Sequence, residues 1–274
     1  MAIIQSLVLG IVQGLTEFLP VSSSGHLILV PCFLNWPDQG LAFDAVLHLG
    51  TGAAIIAVLY RDIINLFTIK RGSGKDLNSN LRSKIKQYKK IWLVIVGAIP
   101  AGVTGYFLNL WIEQKLRSVL IVATSLILWG IFLWLAELYS NRLKFKKNNL
   151  DDISYKQAIL IGFTQIIAFI PGSSRSGMTI IGGLATKLDK YTAVKFSFLI
   201  GLPLVLGAGM FKIFAIANNG FNSIQLLQLI LGFLAAFLSG IVALKLLLLL
   251  AKKYSFKLLA VYRVLLGLLI LICY

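Results

Sequence analysis

Two short polar clusters interrupt an otherwise apolar chain, and their residue types suit the handling of phosphate. The first runs Gln13, Glu17, Pro20, Ser22, Ser23, Ser24, Gly25, His26, and the second runs Gln165, Pro171, Gly172, Ser173, Ser174, Arg175, Ser176, Gly177. Gln13 and Glu17 stand four apart, so on a helix an amide and a carboxylate share one face. A carboxylate there can hold a hard divalent cation or act as a base. After Pro20 the chain must turn through Ser22, Ser23, Ser24 and Gly25 into a new short helix, whose free N–H groups and hydroxyls suit phosphate oxygens. Ser23 and His26 are three apart, which allows the imidazole to reach the hydroxyl or whatever that hydroxyl attacks. The structural alternative is a serine-rich helix cap beside a packed histidine. In the second cluster Gly172 lets backbone approach an anion, the hydroxyls of Ser173, Ser174 and Ser176 donate to it, and the Arg175 guanidinium grips two oxygens together.

The two clusters are copies. Gly10 and Gly162 are 152 residues apart, and so are Gly25 and Gly177. Fainter echoes follow: the spacing of Gly97 and Gly105 returns at Gly232 and Gly240, and Gly267 answers Gly130. The chain therefore divides into a first repeat of about residues 1–145 and a second of about 150–274, within one integral membrane domain.

Composition sets the medium. At 58% hydrophobic and 13% charged over 274 residues, the chain is too apolar for a soluble domain and suits several spans of about 20 residues each. Its net charge of +16 lies mostly in short segments between apolar runs, with no RNA- or DNA-binding motif, so nucleic acid is not the expected partner. Met1 to Gln5 lacks the basic leader and cleavage site of a secretory signal. Cys32 and Cys273 offer neither a disulfide framework nor a metal site.

Apolar runs at about 41–60, 91–111, 118–138, 193–217, 225–250 and 257–274 predict six crossings. Residues 23–34 and 177–187 are too short to cross, and each follows an apolar stretch ended by a proline, which predicts re-entrant helical hairpins. Such broken backbone survives at membrane depth only when packed in protein or lining a wet cavity. Matched breaks in two halves point to a binding site. The expected fold is an all-α polytopic membrane protein with an inverted-topology repeat, each half holding one hairpin and three transmembrane helices. Basic residues from Arg61 to Lys90 predict a cytoplasmic loop, with 142–156, 187–195 and 252–257 on the same side and both termini outside. The hairpin tips then meet near the midplane. Residues 80–90 read as a surface helix on anionic headgroups or as a solvated loop. Asp44 and His48 read as helix-end partners or as supports of the site, and Glu113, Glu137 and Asp189 as solvated anchors.

Residues 13–26 and 171–179 closely resemble the two motifs of bacterial undecaprenyl-diphosphate phosphatases of the bacitracin-resistance type. The resemblance extends over nearly the whole chain. It implies removal of the terminal phosphate from undecaprenyl diphosphate at the extracytoplasmic face of the bacterial inner membrane, recycling the lipid carrier for peptidoglycan and conferring bacitracin resistance. It implies stimulation by Mg²⁺ or Ca²⁺. Glu17, Ser23, His26 and Arg175 are the implied catalytic residues, with Glu17 also touching the metal. Gln13, Ser22, Ser24, Gly25, Gly172, Ser173, Ser174, Ser176 and Thr179 are the implied diphosphate-binding residues. Gln13 stands where the family often has glutamate, leaving one carboxylate fewer for a cation. The nucleophile stays open among Ser23, His26 and water, and the oligomeric state stays open to a homodimer. The rival class is an alternating-access transporter or flippase of a lipid phosphate, since inverted repeats with broken helices also build carriers.

Overall fold

The computed structural model describes residues 3–37, 39–68, 77–116, 118–217 and 223–273, and every regular element among them is helical. In chain order these are α1 (Ile3–Phe18), α2 (Ser23–Phe33), α3 (Gly40–Val58), α4 (Tyr60–Phe67), α5 (Leu77–Lys115), α6 (Val119–Arg142), α7 (Tyr155–Ile166), α8 (Arg175–Ala185), α9 (Lys190–Ala217), α10 (Ser223–Lys253) and α11 (Lys257–Cys273). Side chains of 41, 77–84, 86–87, 109–114, 212 and 215–217 within these helices lie outside the described set, and with them the expected anchor Glu113.

Among the described residues four stretches are long and apolar enough to cross a membrane: Tyr88–Leu108 of α5, α6, Lys190–Phe211 of α9, and α10. The expected 41–60 span is instead bent by 73° between α3 and α4, and counts as a fifth only if the pair is one span. The expected 257–274 span is the 17-residue α11, about 26 Å long at 1.5 Å per residue and so shorter than a typical hydrocarbon core. The two segments read as too short to cross are α2 and α8, of 11 residues each. The chain is thus a multi-pass, all-helical membrane protein.

Glycines let the helices approach closely, as small residues do in lipid where van der Waals packing must replace hydrophobic drive. A Cβ at Gly10 would lie 2.5 Å from the Gly232 carbonyl oxygen, so α1 lies directly on α10. A Cβ at Gly162 would collide likewise with the Gly97 carbonyl, bringing α7 onto α5. In the same way Gly130 of α6 abuts the Ala260 carbonyl at 3.1 Å, and Gly267 of α11 abuts the Ala123 carbonyl at 2.7 Å.

The basic connections gather on one face. Lys195 pairs with Asp62 at 2.7 Å and Lys90 with Asp151 at 2.7 Å. The Lys147 and Asp189 N–H groups donate to the Lys187 and Lys147 carbonyls, and Lys190 Nζ donates to the Tyr254 carbonyl. Segments 61–68, 88–90, 142–156, 187–195 and 252–257 therefore share a side, as charge alternation predicts. Residues 80–90 are the start of α5, continuous with the crossing helix, rather than a separate surface element.

Glu137 is not a solvated anchor. It is 2% exposed and binds Lys190 at 3.0 Å, the Ser255 hydroxyl at 2.7 Å and the Phe256 N–H at 2.9 Å, holding α6 to the start of α9 and to the α10–α11 connection. Asp189 caps α9 through the Thr192 N–H. Cys32 and Cys273 are unpaired at the bundle surface.

Candidate active site

Each polar break ends one helix and starts another by the same local device. α1 stops at Phe18 ahead of Pro20, and Ser22, with φ 75°, caps α2 by accepting the Gly25 N–H. α7 stops at Ile166, a 3₁₀ turn carries Ile167–Phe169 to Pro171, and Ser174, with φ 72°, caps α8 by accepting the Gly177 N–H. In both, the capping hydroxyl also meets the serine two residues on: Ser22 with Ser24 at 3.3 Å and Ser174 with Ser176 at 3.2 Å. A left-handed serine is strained and persists only where its surroundings hold it. Gly172, at φ 90°, lies so close to α6 that a Cβ would sit 2.5 Å from the Val122 carbonyl.

The two breaks meet around Glu17. One carboxylate oxygen, Oε1, accepts the Arg175 guanidinium at 2.7 Å. The other, Oε2, accepts the Ser23 hydroxyl at 2.5 Å and the Gln13 amide at 3.1 Å. The Ser176 hydroxyl donates to the Glu17 backbone carbonyl at 3.2 Å. An amide, a carboxylate, a hydroxyl and a guanidinium drawn from both breaks thus form one buried cluster. The positive ends of α2 and α8 open beside it, which favours an anion.

Two buried polar atoms at its edge have no partner among the described residues: Gln13 Oε1 and Arg175 Nη1. They are complementary, an oxygen suited to a cation and an N–H suited to a phosphate oxygen. No group of three or more His, Cys, Asp or Glu side chains collects among the described residues. A divalent ion here would have Glu17 and the free Gln13 oxygen as protein donors. Magnesium binds through one or two carboxylates plus substrate phosphates in this way, so the residues fit an ion that arrives with a diphosphate.

Several expected partnerships differ. Ser23 does not bond His26: the helix break turns the serine toward Glu17, while His26 Nδ1 lies 2.7 Å from the Ser22 carbonyl and Nε2 2.7 Å from the Tyr262 hydroxyl. Ser173 donates to the Ile167 and Ile170 carbonyls and so braces the second loop, while Thr179 donates to the Arg175 carbonyl within α8 and meets the Ser197 hydroxyl of α9. Ser22 and Ser174 are caps, Ser24 is partly open, and Gly25 packs within 3.7 Å of the Gly172 Cα as measured from an added Cβ.

Three contributors went unread in the sequence. Arg263 of α11 is fully buried and donates to the Pro20 carbonyl at 3.0 Å in one break and to the Gly172 and Ser173 carbonyls at 3.0 and 2.9 Å in the other. Gly177 makes room for it, since a Cβ there would lie 2.9 Å from Nη1. Its signal was a lone arginine inside an apolar run, a costly placement that demands a partner. Tyr262 is the second. His48 was read only as a helix-end or supporting group. Its Nδ1 meets the Asp44 carbonyl at 2.7 Å and its Nε2 stands 3.6 Å from Glu17 Oε2. Gly201 is the third, because a Cβ there would lie 2.9 Å from the Arg175 guanidinium carbon.

Residues 6–269 match the family described as bacitracin resistance protein BacA. The chain belongs to that family. Among BacA relatives, the undecaprenyl-diphosphatase of Moorella thermoacetica is 40% identical over 270 residues, covering 98% of this chain and 97% of its own. That of Gemmatimonas aurantiaca is 40% identical over 271 residues, with 98% and 97% covered. That of Thermomicrobium roseum is 38% identical over 281 residues, with 98% and 96% covered. The BacA match takes in both polar breaks and Arg263.

Proposed function

We propose that this chain is an undecaprenyl-diphosphate phosphatase: it cleaves the terminal phosphoanhydride bond of the lipid diphosphate, giving undecaprenyl phosphate and inorganic phosphate. The observation that carries this reading is the junction of both breaks at Glu17, where Ser23 donates to one oxygen and Arg175 to the other. Full-length similarity to enzymes named for that activity supports it.

The diphosphate enters between the starts of α2 and α8 and draws Arg175 onto its terminal phosphate, where the guanidinium spans two oxygens. Released from that pair, Glu17 takes the proton that Ser23 already directs at it, and Ser23 Oγ forms a bond to the terminal phosphorus as the bridging P–O bond breaks toward the lipid phosphate. Water then attacks the phosphoserine, one of its protons passing to His26, and the serine regains its proton from Glu17 as phosphate leaves. Phosphoryl transfer rests mainly on positioning and charge neutralisation, so these groups act as a unit. A Mg²⁺ or Ca²⁺ ion held by Glu17 and Gln13 would supply further neutralisation of the diphosphate.

The halves are read as an inverted-topology repeat within the bacterial inner membrane. Exchange of halves turns the Gly10–Gly232 contact into Gly162–Gly97, and Gly130–Ala260 into Gly267–Ala123, the reciprocity that a two-fold relation requires. With the basic face cytoplasmic, α1 and α2 enter from outside as one re-entrant hairpin and α7 and α8 from inside as the other. The reaction then occurs at the extracytoplasmic face, recycling the carrier for peptidoglycan and withdrawing the lipid diphosphate that bacitracin sequesters.

The test is phosphate release from defined prenyl diphosphate by purified protein in detergent, where no sealed compartment exists for a carrier to use. Glu17→Gln, Ser23→Ala and Arg175→Ala should each lower turnover at least ~100-fold, the scale of a lost general base or charge clamp. Near-normal turnover in all three would overturn the reading. Phosphate trapped on Ser23 during turnover would identify the nucleophile.

A further inference from the structure

His26 is held from both sides. The Ser22 carbonyl can only accept, so Nδ1 at 2.7 Å carries a proton, and in the neutral ring Nε2 then presents its lone pair to the Tyr262 hydroxyl at 2.7 Å. The two rings are nearly parallel, 12° apart with centroids at 5.9 Å. Tyr262 comes from α11, 236 positions along the chain, and its neighbour Arg263 ties that helix to the carbonyls of both breaks. The phenol therefore reaches His26 from a helix whose register is fixed against the site. Tyr262 is 43% exposed, so filling the interior does not account for it.

The repeat supplies an internal comparison. The shift of 152 residues that relates the breaks sets Met178 against His26, and the shift of 137 that relates Gly130 to Gly267 sets Ser125 against Tyr262. The positions equivalent to this pair, Met178 and Ser125, thus carry neither an imidazole nor a phenol.

We infer that Tyr262 is a positioning residue for the phosphatase reaction, its hydroxyl fixing the plane of His26, whose tautomer the Ser22 carbonyl sets, so that Nε2 is ready to accept a proton from the attacking water. This rests on His26 acting in the reaction proposed above. When the diphosphate and its water arrive, Nε2 exchanges one hydroxyl partner for another while the Ser22 carbonyl and the ring stack keep the imidazole in place.

The test is a double-mutant cycle on phosphate release, using purified protein and prenyl diphosphate. Tyr262→Phe keeps the ring and removes one hydrogen bond. It should lower kcat about tenfold, leave KM within about twofold and leave the thermal midpoint unchanged. On the residual activity of His26→Ala it should cause no further loss, because the two residues act through one contact. In ¹⁵N-histidine spectra of the folded protein, the His26 Nε2 resonance should move in Tyr262→Phe while that of His48 stays in place. A tenfold loss that persists without His26, a change confined to KM, or full activity in Tyr262→Phe would each overturn the inference. Near-normal turnover in His26→Ala would instead remove the catalytic role of His26 itself, and this inference with it.

Discussion

Replacing Arg263 by methionine tests whether the site depends on a tie between its two halves. The guanidinium makes three bonds to backbone carbonyls, one in the first break and two in the second. Side-chain hydrogen bonds in membrane proteins average about 0.6 kcal/mol and reach about 1.7, so three are worth roughly 2 to 5 kcal/mol. Methionine fills a similar volume and relieves the cost of a buried charge, which holds the net loss near the lower figure, about 2 kcal/mol. For a chain of this size that lowers the thermal midpoint by roughly 4 to 8 °C. Turnover should fall further than stability does, at least ~10-fold well below the midpoint, because Glu17 and Arg175 meet only while the loops are joined. Arg263→Lys, which keeps the charge but lacks the planar fork, should lie between the two. Thermal unfolding in detergent alongside phosphate release measures both effects. A methionine variant with unchanged midpoint and turnover would refute the tie.

Two further predictions concern packing and the cation. Gly10→Ala and Gly162→Ala, which press a methyl onto the Gly232 and Gly97 carbonyls, should each cost about 1 to 3 kcal/mol in thermal unfolding, whereas Gly207→Ala, with open space at its Cβ, should be neutral or slightly stabilising; equal tolerance at all three would remove the close helix contacts. Gln13→Glu adds a second carboxylate beside Glu17, so half-maximal phosphate release should need at least ~5-fold less Mg²⁺, and chelation should lower activity in both proteins; an unchanged metal titration would show that position 13 does not face the ion.

The breaks were legible because proline, serine and glycine are conspicuous inside apolar runs, and the recurring glycine spacing within one chain is what suggests a duplication. The partners of the polar groups were less so. Helical spacing holds only while the helix lasts, and α1 ends at Phe18, so the three-residue step from Ser23 to His26 gave no account of the reversal that sends Ser23 back to Glu17. Arg263 and Tyr262 belong to an apolar helix remote in sequence, and nothing local marks them as facing the breaks. Glu137 sits at a helix end, where exposure is the usual outcome, yet the α10–α11 connection folds over it. The bend at Leu59 likewise has no proline or glycine at the turn to announce it.

The tie made by Arg263 has a consequence for biogenesis. Glu17 and Arg175 emerge from the ribosome long before residue 263, so a nascent chain can insert both loops and still lack the helix that clasps them. Catalytic competence would then appear only after residue 263 has been made and inserted, and fragments stopped before residue 257 would reach the membrane inert.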